Sequence, residues 1–183
     1  MKKIGWVVLT GIVMIAGAGL GVSQMHASEN KAYAKQENNI LSEQEVIDIA
    51  QRESGGKVNE VELKYKGEDS VYEVEVIKSG LETEIMVDGK TGEILVKETE
   101  AIETDTEESD KKELAKPGIS MKQAEEKAVH AIKAKGKVTE VKLKNDDGKL
   151  IYEVEMESGN QETEVKLDAH SGKILEINME QED

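Results

Sequence analysis

The residues best placed to do chemistry in this chain are glutamates, and they come in matched sets. Glu73, Glu75, Glu82 and Glu84 alternate with apolar residues, and Glu153, Glu155, Glu162 and Glu164 repeat the arrangement 80 residues later. In extended backbone alternate residues share a face. Each set therefore lands on one side of neighbouring strands, where carboxylates repel unless a lysine or a cation lies between them. The pattern suits either a face that docks a basic partner or weakly gathers divalent cations, or the solvated side of a sheet covered on its other side only.

Asp88 and Asp168 open the loops Asp-Gly-Lys-Thr-Gly and Asp-Ala-His-Ser-Gly. A calcium loop of the EF-hand kind needs several spaced oxygen ligands and a distal glutamate. Here only the first aspartate fits, and Lys90 or His170 sits inside the loop. An aspartate that binds its own turn, with glycine supplying the positive φ, accounts for both. The three histidines, His26, His130 and His170, form no HExxH or other paired arrangement, and no GxSxG is present. Lys90 stands where His170 does in the repeat, so the two copies share no histidine. These patterns assign no catalytic residue, no metal ligand and no cofactor.

Bulk composition narrows the classes further. The chain has 183 residues, a formal charge of −15, no cysteine, no phenylalanine, one tryptophan and four tyrosines. Without cysteine there are no disulfides, no thiolate metal site, no cysteine nucleophile and no lipid attached through cysteine. With so few aromatics, the core must be thin and built from Val, Ile and Leu. Residues 1–28 carry Lys2 and Lys3 and no acid, so the remainder carries −17. Such a field repels nucleic acid and anionic membrane surfaces and favours cations or basic protein surfaces. The same surplus of acid also serves solubility.

The elements that must hold these glutamates form one module written twice. From Gly56/Gly136 to Leu95/Leu175, 18 of 40 positions are identical without a gap. Each copy opens with a helix signal. Ser42 with Glu45, and Ser120 with Gln123, form capping boxes behind the staple residues Leu41 and Ile119. Val46, Ile49 and Ala50, with Ile47 alongside, make one apolar stripe; Ala124, Ala128, Ala131 and Ile132 make the other. Period-two alternation then predicts strands over 57–65, 71–78, 82–88 and 93–97, and over 138–144, 150–157, 162–168 and 173–178. Tyr72 and Tyr152 occupy equivalent core or sheet-end positions. The expected fold class is α+β: two tandem small domains, each one helix packed on one face of a four-stranded antiparallel sheet.

At the N-terminus, Met1–Lys3 is basic, and Ile4–Val22 has Thr10 as its only polar side chain. Nineteen such residues fall between a signal-peptide core and a membrane span. Small residues at Ala18, Ala27 and Ala34 offer cleavage points, and Gly17 and Gly21 form a GxxxG suited to pairing a retained helix. Secretion and an uncleaved anchor both stay open; either places the chain beyond residue 22 outside the cytoplasmic membrane.

The capped helices, Gly-Lys-Val-x-Glu-Val-x-Leu at 56–63 and 136–143, Tyr-Glu-Val-Glu at 72–75 and 152–155, and Asp-x-x-(Thr/Ser)-Gly-x-Ile-Leu at 88–95 and 168–175 together resemble the PepSY domain. That module is found in propeptides of thermolysin-type metallopeptidases and in small bacterial secreted or membrane-anchored proteins. The resemblance implies a helix on an antiparallel sheet, an extracytoplasmic setting and a role in inhibiting or regulating peptidases, with no catalytic residue to carry over. The expected organisation is a signal peptide or membrane anchor at 1–27, a spacer at 28–39, PepSY-like domains at 40–98 and 118–178, an acidic linker at 99–117 and a tail at 179–183. The expected partner is a protein, a peptidase or another envelope protein. It would meet the acidic sheet faces, through Glu73, Glu75, Glu82, Glu84, Glu153, Glu155, Glu162 and Glu164, or an exposed strand edge. Membrane contact is expected only through the N-terminal segment. The alternative is an envelope cation-binding or sensory accessory protein that uses the same faces.

Overall fold

The computed structural model describes residues 40–102, 113–132 and 136–181. The leader and its cleavage points lie outside these residues. Among the described residues no helix is long and apolar enough to cross a membrane.

Each half starts with a helix whose first turn is satisfied by side chains. In α1 (Glu43–Ser54) the Ser42 Oγ accepts from the Glu45 N–H, while the Glu45 carboxylate accepts from the Ser42 N–H at 2.8 Å. The same box opens α2 (Met121–Ile132), where Ser120 N–H donates to the Gln123 side chain at 2.9 Å. Gly55, at φ 66°, ends α1 in the left-handed conformation that glycine adopts without steric cost. Each helix buries a narrow apolar stripe, Val46 and Ala50 in α1 and Met121, Ala124 and Ala128 in α2. Alanines on these faces let the helices lie close against the sheet.

The first half continues through β1 (Lys57–Lys66), β2 (Asp69–Lys78), β3 (Leu81–Asp88) and β4 (Ile94–Ala101). The second continues through β5 (Lys137–Asp146), β6 (Lys149–Ser158), β7 (Gln161–Asp168) and β8 (Ile174–Gln181). The strands run slightly longer than alternation alone predicts, because the hairpins are tight. Ser79 and Gly80 both have positive φ, the requirement of a two-residue hairpin turn.

The two halves do not form separate sheets. β1 pairs antiparallel with β5, and all eight strands join in one sheet of order β4-β3-β2-β1-β5-β6-β7-β8. The expected pair of independent four-stranded sheets is thus replaced by one continuous sheet, while the α+β class holds. The physical reason is the free edge each half would otherwise present. β1 and β5 are those edges, and pairing them satisfies both backbones at once.

One continuous apolar cluster lies on the helix side, containing Val61, Leu63, Val74, Ile85, Leu143, Val154 and Val165 together with the buried faces of both helices. Tyr72 and Tyr152 stand within it, donating to the backbone carbonyls of Leu41 and Ile119 at 2.6 and 2.8 Å. Each tyrosine therefore ties the entry to its helix onto the sheet. Tyr65 of β1 crosses the junction and donates to Glu125 of α2 at 2.8 Å.

The two ends of the acidic stretch expected as a linker, 99–117, lie against the fold, and residues 103–112 between them fall outside the described residues. β4 runs on to Ala101, where the Ile102 N–H donates to the Gly80 carbonyl. On the far side Leu114 packs against the core and donates its N–H to the Val58 carbonyl, with Glu113 bridging to Lys57 at 3.3 Å. Leu114 is the apolar residue that makes docking favourable in an otherwise charged stretch.

Candidate functional site

The sheet's second side faces away from both helices and carries the glutamates that alternation placed there. Registers assign them to rows running across the strands. Glu62 and Lys142 face each other at the β1–β5 junction, flanked by the pairs Glu60–Lys144 and Lys64–Glu140. Antiparallel pairing of Glu-x-Glu-x-Lys with Glu-x-Lys-x-Lys thus yields three opposite-charge pairs in succession, each of the kind that stabilises a sheet.

At this junction the charges are crowded and dry. Lys142 Nζ lies 3.4 Å from Glu60 and 3.7 Å from both Glu62 and Glu140, with its own side chain 14% exposed. Lys64 bridges Glu62 at 3.2 Å and Glu73 at 2.8 Å. Burial, and then the hydrogen-bonded carboxyl of Glu140, push Glu62 up to about 8. Burial likewise raises Glu60, whereas the three surrounding carboxylates outweigh burial at Lys142 and hold it firmly charged.

Away from the junction, like charges meet. Glu60, Glu75, Glu84 and Glu98 stand in one row across β1, β2, β3 and β4, each opposite the next. Glu140, Glu155 and Glu164 repeat the row across β5, β6 and β7, which ends on Asn178 in β8. Further out Glu82 faces Glu100, and Glu162 faces both Glu157 and Glu180. Burial and the neighbours Glu73 and Glu98 raise Glu84, and burial with Glu162 raises Glu155. Glu75 accepts a hydrogen bond from Asn59 at 3.1 Å.

The eight glutamates singled out from the sequence thus share one face of one sheet, but they are not equivalent. Glu73 is held by Lys64, and Glu153 by Lys144 at 2.8 Å and Lys166 at 3.1 Å. Burial pushes Glu153 up, yet the two lysines outweigh it and hold the carboxyl below its usual range. These two act as internal ties. Glu75, Glu84, Glu155 and Glu164, with Glu82 and Glu162 beyond them, make up the like-charge rows, in which Glu164 also meets Lys166 at 3.8 Å and accepts from Asn178 at 3.3 Å. Sequence reasoning missed the junction residues Glu60, Glu62, Glu140 and Lys142. The available signal was a charge reversal, Glu62 against Lys142, at equivalent positions of otherwise similar repeats.

The aspartate loops are self-contained. Asp88 Oδ1 accepts from the N–H groups of Lys90 and Thr91 and from the Thr91 hydroxyl, at 2.7–3.0 Å. Asp168 does the same with Ser171, at 2.6–2.7 Å. These bonds hold both aspartates below their ordinary range. Among the described residues, no three of His, Cys, Asp and Glu are grouped so as to hold a metal ion. His130 and His170 are exposed, and an open groove lies beside each helix.

The family described as peptidase propeptide and YPEB domain, PepSY, matches residues 40–98 and 118–178. Over 178 residues, 96% of each chain, the protein is 30% identical to the uncharacterized protein YkoJ of Bacillus subtilis (strain 168). The crystal structure of a candidate lipoprotein, CD1622 of Clostridium difficile 630, matches at TM-score 0.70 and 21% identity, over 80% of this chain and 98% of its own. That likeness shows a shared fold. The Bacillus megaterium YpeB C-terminal domain matches at TM-score 0.34 and 17% identity over 79% of this chain and 68% of its own, too weakly to carry an argument. The chain belongs to the PepSY family, in two tandem copies.

Proposed function

We propose that this PepSY protein works outside the cytoplasmic membrane as a non-catalytic binding protein, whose open sheet face engages a basic surface of a peptidase or other envelope protein and regulates it. The observation that supports this reading is the pair of carboxylate rows centred on Glu75–Glu84 and Glu155–Glu164. Like charges placed directly opposite one another destabilise a sheet by up to about 1 kcal/mol per pair. Lysines neutralise the junction of the same sheet and reach into the rows, where Lys166 lies 3.8 Å from Glu164, yet carboxylates still stand directly opposite one another at Glu75–Glu84 and Glu155–Glu164. A basic partner would relieve that repulsion on binding. The family's association with peptidase propeptides supports the class of partner. The two domains, 40–98 and 118–178, would act on that partner as one surface.

The test is affinity capture of extracytoplasmic proteins on the immobilised intact chain, with elution by a salt step and mass-spectrometric identification. The variant E75Q/E84Q/E155Q/E164Q serves as the control. A peptidase or its precursor held by the wild type and lost by the variant is the expected result. Equal retention by both would remove the sheet face from the mechanism. Calorimetry with magnesium and calcium addresses the cation reading: saturable heat with a raised unfolding temperature would favour it over protein binding.

A further inference from the structure

β8 is one of the two outer edges of the sheet, and it is unlike the other. Its helix-side residues Ile177 and Met179 are 41% and 55% exposed, lying opposite Val165 and Thr163 of β7. The equivalent positions 80 residues earlier are Lys97 and Thr99 of β4. There Lys97 reaches back to Glu53 of α1 at 2.8 Å, and Thr99 bonds Thr83 at 3.1 Å. On its helix side β4 thus carries charged, self-satisfied side chains that blunt an edge, and β8 lacks them there. On the opposite side β8 presents Glu176, Asn178 and Glu180, aligned with Lys166, Glu164 and Glu162 of β7.

The molecule itself shows what such an edge accepts. At the β1–β5 junction an antiparallel strand places Val141 and Leu143 beside Leu63 and Val61 on the helix side, and complementary Lys and Glu on the other. The same rule applied to β8 asks for an incoming strand with apolar residues against Ile177 and Met179, and Lys or Arg against Glu176 and Glu180. A second copy fits poorly. Antiparallel self-pairing that sets Ile177 opposite Met179 also sets Glu176 opposite Glu180 twice, between chains of charge −15 each. We propose that β8 is a strand-addition site, where an extended partner segment with alternating apolar and basic residues joins the sheet as a ninth strand. Backbone hydrogen bonds would supply affinity, and the two faces of β8 the specificity. This deepens the protein-binding reading and rests on it, since the basic side chains would extend the same acidic face.

The test uses the intact chain and three synthetic peptides: an alternating Lys/Val heptapeptide, its analogue N-methylated at alternate residues, and the Glu/Val version. Binding is measured by calorimetry and by backbone amide shifts in NMR. The Lys/Val peptide is expected to bind and to shift β8 amides. N-methylation, or the protein variant I177K/M179T that copies the β4 pattern, is expected to weaken binding at least tenfold, and the Glu/Val peptide to fail. Equal binding of the methylated and unmethylated peptides, shifts spread over the open face alone, or a dimer abolished by I177K/M179T would each overturn the proposal. The methylated peptide needs no protein variant, so a misfolded I177K/M179T cannot obscure the outcome. If strand addition fails while E75Q/E84Q/E155Q/E164Q still loses its captured partner, only the β8 inference falls. If both fail, the protein-binding reading falls too.

Discussion

Lys142→Glu is the sharpest perturbation the structure offers, because its cost depends on whether the two halves share a sheet. Were each half an independent domain, position 142 would lie on a solvated strand, and a charge change there would alter stability by no more than about 0.5 kcal/mol. In the continuous sheet Lys142 is 14% exposed and is the cation common to Glu60, Glu62 and Glu140. Removing one member of a buried charge cluster costs about 3–5 kcal/mol. One side of this cluster faces water, which argues for the lower figure. With a urea m-value of about 2 kcal/mol/M, a loss of about 3 kcal/mol lowers the unfolding midpoint by roughly 1.5 M. The assay is urea denaturation monitored by circular dichroism on the wild type, K142E, E62K and the double variant E62K/K142E. The double variant restores an opposite-charge pair in reversed order across the β1–β5 register. A coupling energy of at least about 1.5 kcal/mol is expected, within the range for residues in direct contact. A K142E midpoint within 0.2 M of wild type, roughly 0.4 kcal/mol at that slope, would refute the shared sheet. So would a double variant no more stable than the sum of its singles predicts.

The same geometry makes three other measurements informative. Glu62 is raised to about 8 in the fold from 4.5, so the folded state holds the extra proton between those values. Its contribution is therefore fully present below about pH 4.5 and is lost as pH rises through 8, at no more than about 1.4 kcal/mol per pH unit. E62Q should flatten that decline in pH-dependent urea melts, and an unchanged slope would remove Glu62 as its source. Tyr72→Phe and Tyr152→Phe each delete one buried hydrogen bond to a helix-entry carbonyl and should cost about 1–2 kcal/mol in the same melts. Finally, E75Q/E84Q/E155Q/E164Q relieves cross-strand repulsion and should raise stability by about 1–2 kcal/mol while weakening salt-sensitive capture. A variant that loses stability instead would mean that interactions other than simple repulsion hold the rows together.

Local structure was legible in the sequence because each element carries its own local cause. The capping boxes at Ser42–Glu45 and Ser120–Gln123 and the alternation around Tyr72 and Tyr152 need only neighbours to act, and each appears in the structure. The division of the eight glutamates was only half legible. Alternation put them on one face, but which are tied by lysine depends on cross-strand register, which places Lys64 beside Glu73 and Lys144 and Lys166 beside Glu153. The joining of β1 to β5 was hidden for a further reason: it links segments on either side of an acidic stretch whose composition argues for separation. Leu114 shows how one apolar residue in such a stretch can anchor it.

Duplication explains both the junction and the exposed edge. Two identical modules meeting through equivalent edge strands would set identical charges face to face at the centre of the pairing. With Glu at both 62 and 142, or Lys at both, the central pair would repel at a nearly dry site. The chain carries Glu at one and Lys at the other, which turns the most costly position of the interface into an attractive one. The outer edges diverged in the opposite sense. Lys97 and Thr99 leave β4 polar on its helix side, whereas Ile177 and Met179 leave β8 apolar there, while the open face keeps two acids on each edge, Glu98 and Glu100 in β4 and Glu176 and Glu180 in β8. β8 has thereby taken on the two-faced pattern of the strands that do pair in this sheet. An edge with that pattern gains free energy when a matching strand covers it, and the charge beside it selects a basic one.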